Sequence, residues 1–227
     1  MLKYVIFDLD DTLLDFSRGE HEGLTYMLKK YGLTDIQHGL QVYQTHNHWV
    51  WTQIEQGADP QPLLNQRFAI AFKQLGLTVN GPALQREYNT ILAHNFYTIP
   101  GATQLLTDLQ AAGLTLLVGT NGVKTTQLSR IQGSGLAPYF QQVFISADLG
   151  VAKPDPRFFD AIFKQNPAMT AENTVMVGDN LASDIYGATQ AHLKNIWYNP
   201  QQLPNPKPYQ PTATVTNYQQ LEHDLLH

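Results

Sequence analysis

The sequence predicts an α/β fold, with a Rossmann-like parallel β-sheet as the core and a helical bundle inserted as a cap. Two observations predict it. Short apolar runs alternate with helical patterns over most of the chain, and such alternation is typical of right-handed βαβ units and of a parallel sheet. One long stretch of the N-terminal half lacks strand-like runs and carries apolar residues at helical spacing, as a separate helical module does.

Five apolar runs predict the strands of the core. They cover residues 4–9, 114–118, 143–146, 175–178 and 195–198. Apolar residues at helical spacing predict helices between the later strands, around residues 105–109, 158–163 and 181–188. A Pro-rich segment, residues 199–211, indicates a surface loop that leads into a last short strand and a helix.

The helical insert is predicted to cover residues 17–97, so that the core comprises residues 1–16 and 98–227. Leu24, Met27 and Leu28 illustrate its helical spacing. Breaks near Gly32 and in two Gly- and Pro-containing segments, 57–60 and 80–82, divide the insert into roughly four helices. We expect this all-helical module to be a cap packed over the core.

Composition and charge narrow the function classes. An apolar fraction of 43% and a charged fraction of 15% are typical of a soluble globular protein with a substantial core. The formal charge of −5 argues against nucleic acid polymers as partners, since these select basic surfaces. The absence of cysteine excludes disulfides, thiol nucleophiles and cysteine metal clusters. Because the first strand begins near Met1 and no apolar run is long enough to span a membrane, we expect a cytoplasmic protein without a signal peptide.

Acidic residues follow two of the predicted strands. Asp8 and Asp10 end the first apolar run, and Asp179 follows the fourth, with Asp184 shortly after it. Ligands bind at the edge of a parallel sheet where the carboxyl ends of the strands meet, so we expect these side chains to converge. Ionised carboxylates that lie close together repel one another unless a cation lies between them. Mg²⁺ prefers oxygen ligands of this kind, and these four aspartates are therefore the predicted metal residues.

A third segment offers groups that bind phosphate. Thr120, Asn121 and Gly122 place a hydroxyl and backbone N–H groups at a turn between a predicted strand and a helix. This is a suitable position for phosphate oxygens. We therefore expect these three residues to contact a phosphorylated substrate.

A fourth segment carries a lysine. Lys153 comes just before Pro154, Asp155 and Pro156, where Asp155 can cap a helix that begins at Pro156. Such a cap would fix the lysine near the helix start as a positive point charge. Together the four segments predict a metal-assisted phosphoryl-transfer site, and the expected partner is a small phosphorylated metabolite.

In these segments the chain resembles the haloacid dehalogenase-like superfamily, most of whose members are Mg²⁺-dependent phosphatases. The resemblance covers nearly the whole chain and rests on residues 8–12, Thr120, Lys153 and residues 178–184. The insert is similar to the helical cap of one subclass. Within that subclass the chain is most similar to bacterial nucleotidases that act on pyrimidine and modified-pyrimidine nucleotides. This finer similarity is carried by residues 97–102, 120–122 and 150–156, and by Asn47, Trp51, Gly57, Arg67 and Phe68.

The resemblance implies a role for each core residue. Asp8 would attack phosphorus and form an aspartyl-phosphate, and Asp10 would act first as general acid and then as general base. Thr120 and Lys153 would stabilise the charge on the transferring oxygens. Mg²⁺ would be held by Asp8, the Asp10 backbone carbonyl and Asp179, with Asp184 in support. The implied reaction is hydrolysis of a small phosphomonoester, with pyrimidine nucleoside monophosphates as the first candidates.

Four alternatives remain open. A sugar-phosphate or phosphoglycolate phosphatase would share the core motifs, and a phosphoglucomutase would need further support from the cap. A 2-haloacid dehalogenase of the same fold needs the attacking aspartate but no metal, so Asp10, Asp179 and Asp184 argue against it. A non-catalytic binding protein is the alternative from another class. The presence of every carboxylate and of Lys153 argues against that alternative.

Aromatic residues of the insert are candidates for recognising the leaving group. Trp51 is the predicted substrate contact, although the pattern favours packing inside the cap over base recognition for Trp49, Trp51 and Phe68. His46 and His48 flank Asn47, a pattern that suits a second metal site. Without a third ligand, the two histidines are ordinary cap residues.

One residue departs from the superfamily pattern. An Ala-Gly pair usually ends the helix that follows Gly187 and Ala188, whereas this chain has Ala191 and His192. A glycine at that point commonly adopts the left-handed conformation, which histidine tolerates at some cost. The departure concerns the end of this helix and none of the implied catalytic roles.

Overall fold

The computed structural model describes residues 1–206 and 209–227. Residues 207 and 208 of the predicted Pro-rich loop lie outside the described residues. The strands are β1 (Tyr4–Phe7), β2 (Thr115–Thr120), β3 (Gln142–Ile145), β4 (Thr174–Gly178), β5 (Lys194–Tyr198) and β6 (Ala213–Val215). The α-helices are α1 (Phe16–Lys30), α2 (Ile36–Glu55), α3 (Pro60–Gln74), α4 (Gly81–Leu92), α5 (Ala102–Ala111), α6 (Lys124–Gly133), α7 (Ser146–Leu149), α8 (Arg157–Gln165), α9 (Tyr186–Gln190) and α10 (Tyr218–Leu226). A 3₁₀ turn (Ala137–Tyr139) and a π-helical turn (Leu181–Ile185) complete the described elements.

The six strands form one parallel sheet in the order β3-β2-β1-β4-β5-β6. Strand β1 lies between β2 and β4, with Phe7 paired to both Val118 and Val177. The residues that come next in these three strands therefore lie side by side at the carboxyl edge of the sheet. This arrangement confirms the predicted fold class.

Both faces of the sheet are covered, which explains why β1 is apolar at every position. Consecutive side chains of a strand point to opposite faces. Phe7 belongs to the cluster that contains Leu105 of α5 and Leu221 of α10, whereas Ile6 packs in a second cluster with Phe158 of α8. Packing on both faces holds β1 in place within the sheet, and this positions the residues that follow it.

The chain divides into two compact units, residues Met1–Asp15 with Phe96–His227 and residues Phe16–Asn95. The second unit contains α1 to α4, which confirms the prediction of an all-helical insert with four helices. It has its own apolar cluster, in which the Phe68 ring packs against the rings of Tyr43 and Tyr88. That this helical unit acts as a cap stays a prediction.

A buried arginine connects three helices of this unit. Arg67 of α3 donates from Nε to Oε1 of Gln85 on α4 over 2.8 Å and from Nη1 to Oδ1 of Asn47 on α2 over 2.6 Å. Its guanidinium also lies over the Tyr88 ring, 4.9 Å from the ring centre. Neutral amides and an aromatic face thus satisfy a cation that would otherwise be costly to bury.

Local details differ from the sequence prediction at several places. Strand β1 ends at Phe7, two residues earlier than predicted. Strand β2 extends to Thr120, so that this threonine is the last residue of the strand. Helix α8 begins at Arg157, one residue later than predicted, although Asp155 does accept a hydrogen bond from the Arg157 backbone N–H over 2.9 Å. Two helices that the sequence patterns left undefined, α6 and α7, lie between β2 and the lysine segment.

The backbone at His192 is left-handed, with φ of +57°. It lies two residues after the end of α9 and takes the conformation that a glycine commonly adopts at a helix end. Among residues 1–206 and 209–227, no helix combines the length and the apolar character that are needed to cross a membrane.

Candidate active site

Asp8 is the first residue after β1 and is nearly buried. Its backbone N–H continues the sheet by donating to the carbonyl of Val177 over 2.8 Å. This bond fixes the backbone at Asp8 against β4, and the residue is 7% exposed at the carboxyl edge of the sheet. Burial raises the pKa of Asp8 from 3.8 to about 7; Lys153 opposes this rise, while Asp184 and Asp10 add to it.

Lys153 is fully enclosed rather than solvated. Its Nζ donates to Oδ1 of Asp8 and to Oδ1 of Asp184, each over 2.7 Å, and to the carbonyl of Gly119 over 2.6 Å. Three acceptors satisfy the three N–H groups of an ammonium. Burial alone would lower the pKa of Lys153, but Asp184 and Asp8 outweigh burial and hold that pKa above its ordinary value. The lysine is therefore a permanent positive charge between two carboxylates.

Asp184 reaches this cluster because of a glycine. A Cβ on Gly178 would lie 2.2 Å from Oδ2 of Asp184, so any larger residue at the end of β4 would displace the carboxylate. Asn180 caps the turn that follows, since its side chain accepts from the N–H groups of Ala182 and Ser183. The Asn180 backbone N–H also donates to Oδ2 of Asp184 over 3.1 Å. The π-helical turn thus brings Asp184 back to the edge of the sheet.

Asp179 is held at the same edge by two neighbours. Its backbone carbonyl accepts from Nε1 of Trp197 on β5 over 2.7 Å, and its carboxylate accepts from Oγ1 of Thr12 over 3.3 Å. Burial raises the pKa of Asp179 well above its ordinary value, and the charges of Asp184, Asp8 and Asp11 add to this rise. The site therefore disfavours a further uncompensated negative charge at this position.

The three carboxylates form a cluster that fits a divalent cation. Asp8, Asp179 and Asp184 each offer one oxygen, and these oxygens lie within 4.8 Å of one another. When all three are ionised, the ammonium of Lys153 compensates one of the three negative charges. A hard cation with oxygen ligands, such as Mg²⁺, would balance the remainder. Burial is the main cause of the raised pKa of Asp8 and of Asp179, and the neighbouring carboxylates add to it.

Thr120, Asn121 and Gly122 lie together at the end of β2. The side-chain amide of Asn121 forms two hydrogen bonds with the backbone of Lys153. Its Oδ1 accepts from the Lys153 N–H over 2.9 Å, and its Nδ2 donates to the Lys153 carbonyl over 2.8 Å. The N–H of Gly122 donates to Oγ of Ser146 over 3.1 Å. Asn121 thus fastens the lysine segment to the end of β2. The contacts of Thr120, Asn121 and Gly122 with a substrate stay predictions.

Asp10 is held by two residues that the sequence analysis did not single out. Arg130 donates from Nη1 to Oδ1 of Asp10, and Gln127 donates from Nε2 to Oδ2 of Asp10 over 3.1 Å. Both residues lie on α6, three positions apart, and both are buried. Polar residues in a helix are usually solvated, so their burial could not be read from composition. The one signal available was their helical spacing directly after the Thr120 segment.

The aromatic candidates lie in the helical unit. Trp51 of α2 is partly buried, whereas Trp49 is 48% exposed and its ring stacks on that of His46. Burial lowers the pKa of His46, and the Arg67 charge adds to this effect. Among the described residues, the group of acidic or histidine side chains close enough to share a metal ion is the aspartate cluster, which does not include His46 or His48. The structure thus gives the two histidines no third ligand.

Comparison with known proteins adds independent findings. The sequence profile of the haloacid dehalogenase-like hydrolases matches residues 5–198. The chain is 40% identical over 220 residues to the pyrimidine 5′-nucleotidase PynA of Streptococcus pneumoniae, covering 96% of this chain and 93% of that protein. It is 31% identical to the pyrimidine 5′-nucleotidase YjjG of Escherichia coli, covering 98% and 97%. The magnesium-bound crystal structure of the HAD-hydrolase YfnB of Bacillus subtilis superposes with a TM-score of 0.90 at 34% identity, covering 99% of this chain and 98% of that one.

Proposed function

The chain belongs to the haloacid dehalogenase-like hydrolase family, and from that premise we propose that it is a Mg²⁺-dependent 5′-nucleotidase acting on pyrimidine nucleoside monophosphates. It is a phosphoric monoester hydrolase, as the phosphatases and nucleotidases among its relatives are. The finer statement, pyrimidine nucleotides, rests on two relatives that carry this name and match almost the whole chain.

Asp8 and Asp10 carry the covalent and proton-transfer steps of the proposed mechanism. A carboxylate oxygen of Asp8 attacks phosphorus, and the bond from phosphorus to the ester oxygen breaks. Asp10 gives its proton to that oxygen, so that the nucleoside leaves as an alcohol. A water molecule then attacks the aspartyl-phosphate while Asp10 takes a proton from it. The bond from phosphorus to Asp8 breaks, which releases phosphate and restores both carboxyl groups.

Lys153 and Thr120 stabilise the negative charge on the transferring phosphoryl group in the proposed mechanism. The lysine lies 2.7 Å from the attacking carboxylate, so its charge acts at the reacting atoms. It also balances Asp184, which would otherwise repel an incoming phosphate. Thr120 adds a hydroxyl at the end of the neighbouring strand. Mg²⁺, held by Asp8, the Asp10 carbonyl and Asp179 with Asp184 in support, would supply further positive charge for the phosphate oxygens.

Selection of the nucleoside is proposed to lie in the helical unit. The core residues described above recognise only a phosphoryl group, which every phosphomonoester shares. A base offers an aromatic face and a polar edge, and the helical unit has partly buried and exposed tryptophans, together with amides such as Asn47. Aromatic side chains can stack on the face of any base, because every base has an aromatic face. Trp51 is the proposed stacking residue.

One observation carries the proposal. Residues from four distant segments supply a nucleophile, a buried cation, a hydroxyl and an acidic cluster within one edge of the sheet, with Lys153 in direct contact with Asp8 and Asp184. A dehalogenation site would need the attacking aspartate but would have no use for a metal-binding acidic cluster. The acidic cluster therefore favours a phosphatase.

The test is a screen for phosphate release with and without a chelator. The substrates are pyrimidine and purine nucleoside monophosphates, uridine triphosphate, sugar phosphates, phosphoglycolate and p-nitrophenyl phosphate, with 2-chloropropionate as a dehalogenase substrate. We expect pyrimidine monophosphates to be hydrolysed fastest and only with Mg²⁺. A sugar phosphate or phosphoglycolate far ahead of every nucleotide would overturn the substrate proposal. Halide release that persists in chelator would overturn the phosphatase proposal as well.

A further inference from the structure

The general acid–base carboxylate is fixed from a helix that supplies no other predicted site residue. Arg130 and Gln127 of α6 each donate to a different oxygen of Asp10, from Nη1 to Oδ1 and from Nε2 to Oδ2. A carboxylate that is bound at both oxygens cannot rotate about its last side-chain bond without breaking one contact. The pair therefore defines the plane in which Asp10 presents itself.

Gln127 also connects Asp10 with Thr120. Its Nε2 donates to Oδ2 of Asp10 over 3.1 Å and to Oγ1 of Thr120 over 2.9 Å, while its Oε1 accepts from Nη1 of Arg130 over 2.9 Å. All the strong donors and the acceptor of the amide are thus used. The opposite orientation of the amide would set its oxygen against the carboxylate, where two acceptors repel. The network therefore has one consistent arrangement.

The same network directs the hydroxyl of Thr120. Because Oγ1 already accepts from Gln127, its own hydrogen is the group left to donate. The hydrogen bond that this hydroxyl makes to the Asn121 carbonyl is long, at 3.3 Å. A phosphate oxygen at the end of β2 would be a better acceptor. Gln127 thus sets the direction of a donor as well as the plane of Asp10.

Both α6 side chains are buried although one is charged. Arg130 is 0% and Gln127 is 2% exposed, and burying such groups is costly unless they are hydrogen-bonded. A helix that packs on a sheet would gain more from apolar residues at these positions. Their energetic cost is offset by the contacts to Asp10 and Thr120, which indicates a role in the site rather than in the core.

We propose that Gln127 and Arg130 are positioning residues that orient Asp10 for proton donation to the leaving group, with Gln127 also orienting the Thr120 hydroxyl. The proposal rests on the proposed function, because it assigns a task to a carboxylate that acts as general acid. It adds two residues to the reaction that neither the sequence patterns nor the comparisons singled out. It requires the amide of Gln127 specifically, since a glutamate would offer no donor to Asp10 or Thr120.

The experiment compares substrates that differ in their need for a proton. Uridine monophosphate has an alkoxide leaving group that must be protonated, whereas p-nitrophenyl phosphate releases a stabilised phenolate that needs no acid. The variants are Gln127→Glu, which is isosteric, and the pair Arg130→Met and Arg130→Lys. Lys124→Met is the control, because this lysine also lies on α6 but pairs with Asp148 in a half-exposed ion pair. For each, kcat/KM on both substrates and the thermal midpoint are measured.

We expect Gln127→Glu and Arg130→Met to lower kcat/KM for uridine monophosphate by about tenfold to a hundredfold, in line with a misplaced general acid. For Arg130→Met the loss on p-nitrophenyl phosphate should be less than about threefold, since that leaving group does not use the acid. For Gln127→Glu that loss should be larger, because the Thr120 hydroxyl serves both substrates, but still smaller than the loss on uridine monophosphate. Arg130→Lys should recover part of the activity, and Lys124→Met should match the wild type. Circular dichroism identifies any variant that fails to fold. If an Arg130 variant fails to fold, the isosteric Gln127→Glu alone tests the positioning role.

Equal losses on the two substrates would overturn the positioning role and leave Gln127 and Arg130 as packing residues. Unchanged kinetics of Gln127→Glu would overturn it too. If the wild type hydrolyses no nucleoside monophosphate, the proposed function fails separately. The comparison is then made with the alkyl phosphate that the wild type does hydrolyse, so that the two failures remain distinct. A wild type without phosphatase activity would overturn both proposals.

Discussion

Lys153 and Asp184 form an ion pair in which both side chains are only 1% exposed, with Nζ 2.7 Å from the carboxylate oxygen. Removing water from two charges is expensive, and the pair is retained only because each charge has a partner. The ammonium serves Asp8 at the same distance. One lysine is therefore shared by two buried carboxylates, and its loss would leave both without a cationic partner.

The first prediction follows from that sharing. Lys153→Met should lower the free energy of unfolding of the metal-free protein by about 3–5 kcal/mol, the usual cost of breaking a buried ion pair. Added Mg²⁺ should recover part of this loss, because it compensates the same carboxylates. Chemical denaturation with and without Mg²⁺ measures both effects. Lys30→Met is the control: its ion pair with Glu87 is exposed to solvent, so this change should leave the free energy of unfolding nearly unchanged. A loss that Mg²⁺ leaves unchanged would contradict the shared role.

The second prediction concerns the nucleophile. Asp8→Asn is nearly isosteric, so the fold should persist while phosphate release falls by about a thousandfold or more. The measurement is steady-state phosphate release, with circular dichroism to verify the fold. Residual activity within about tenfold of the wild type would rule out covalent catalysis by Asp8.

The third prediction concerns pH. The pKa of Asp8 in the folded, metal-free protein is raised from 3.8 to about 7. Between these values the folded state binds a proton that the unfolded state has lost, so the stability of the metal-free protein falls as pH rises through this window. Mg²⁺ needs the ionised carboxylate, and its affinity should therefore increase by up to about tenfold per pH unit below about pH 7.

Thermal midpoints with and without Mg²⁺, measured from about pH 5.5 to pH 8, test this dependence. The stabilisation by Mg²⁺ should grow with pH and then level off. Asp8→Asn, which has no proton to lose, should show a shallower dependence. A stabilisation that is constant across the range would contradict the raised pKa.

The fourth prediction places selectivity in the helical unit. Trp51→Ala should lower kcat/KM for pyrimidine monophosphates by about tenfold or more, the usual effect of losing a stacked base contact. Its effect on a small ester without a base should be minor. Trp49→Ala is the matched control, because Trp49 lies on the same helix but is 48% exposed and stacks on His46. If Trp51→Ala impairs both classes of substrate alike, the tryptophan only maintains the packing of its unit.

The fifth prediction concerns the left-handed residue after α9. His192→Gly should raise the free energy of unfolding by about 0.5–1 kcal/mol, because glycine adopts a positive φ without steric cost and part of this gain is offset by its freedom in the unfolded chain. Ala191→Gly is the neighbouring control. Its φ of −87° suits an L-residue, so that change should destabilise instead. Denaturant midpoints compare the two. Destabilisation by His192→Gly would mean that the histidine side chain contributes contacts that exceed its backbone cost.

Much of the site could be predicted because its acids follow strands. The apolar run before Asp8 and the one before Asp179 identify two neighbouring strands, and the parallel sheet brings their ends together. The sequence also marked position 192 as one where a glycine commonly adopts a left-handed backbone, and His192 does adopt it, with φ of +57°. In both cases a local signal carries the structural information.

The rest depends on long-range partners that leave no local signal. Gln127 and Arg130 resemble the solvated face of a surface helix until α6 is packed against Asp10. Lys153 resembles an ordinary surface lysine, and its burial depends on Gly119, Asp8 and Asp184. No pattern within a few residues of these side chains encodes such contacts.

The central position of β1 has a consequence for how the protein is made. This strand leaves the ribosome before its two neighbours in the sheet, β2 (Thr115–Thr120) and β4 (Thr174–Gly178). A growing chain therefore carries Asp8 long before the strand that delivers Asp179 has been synthesised. Translation products that stop before residue 184 contain Asp8, the proposed nucleophile, without the complete acidic cluster. The acidic cluster is therefore completed only late in translation. Chains that end earlier are not expected to hydrolyse phosphate esters.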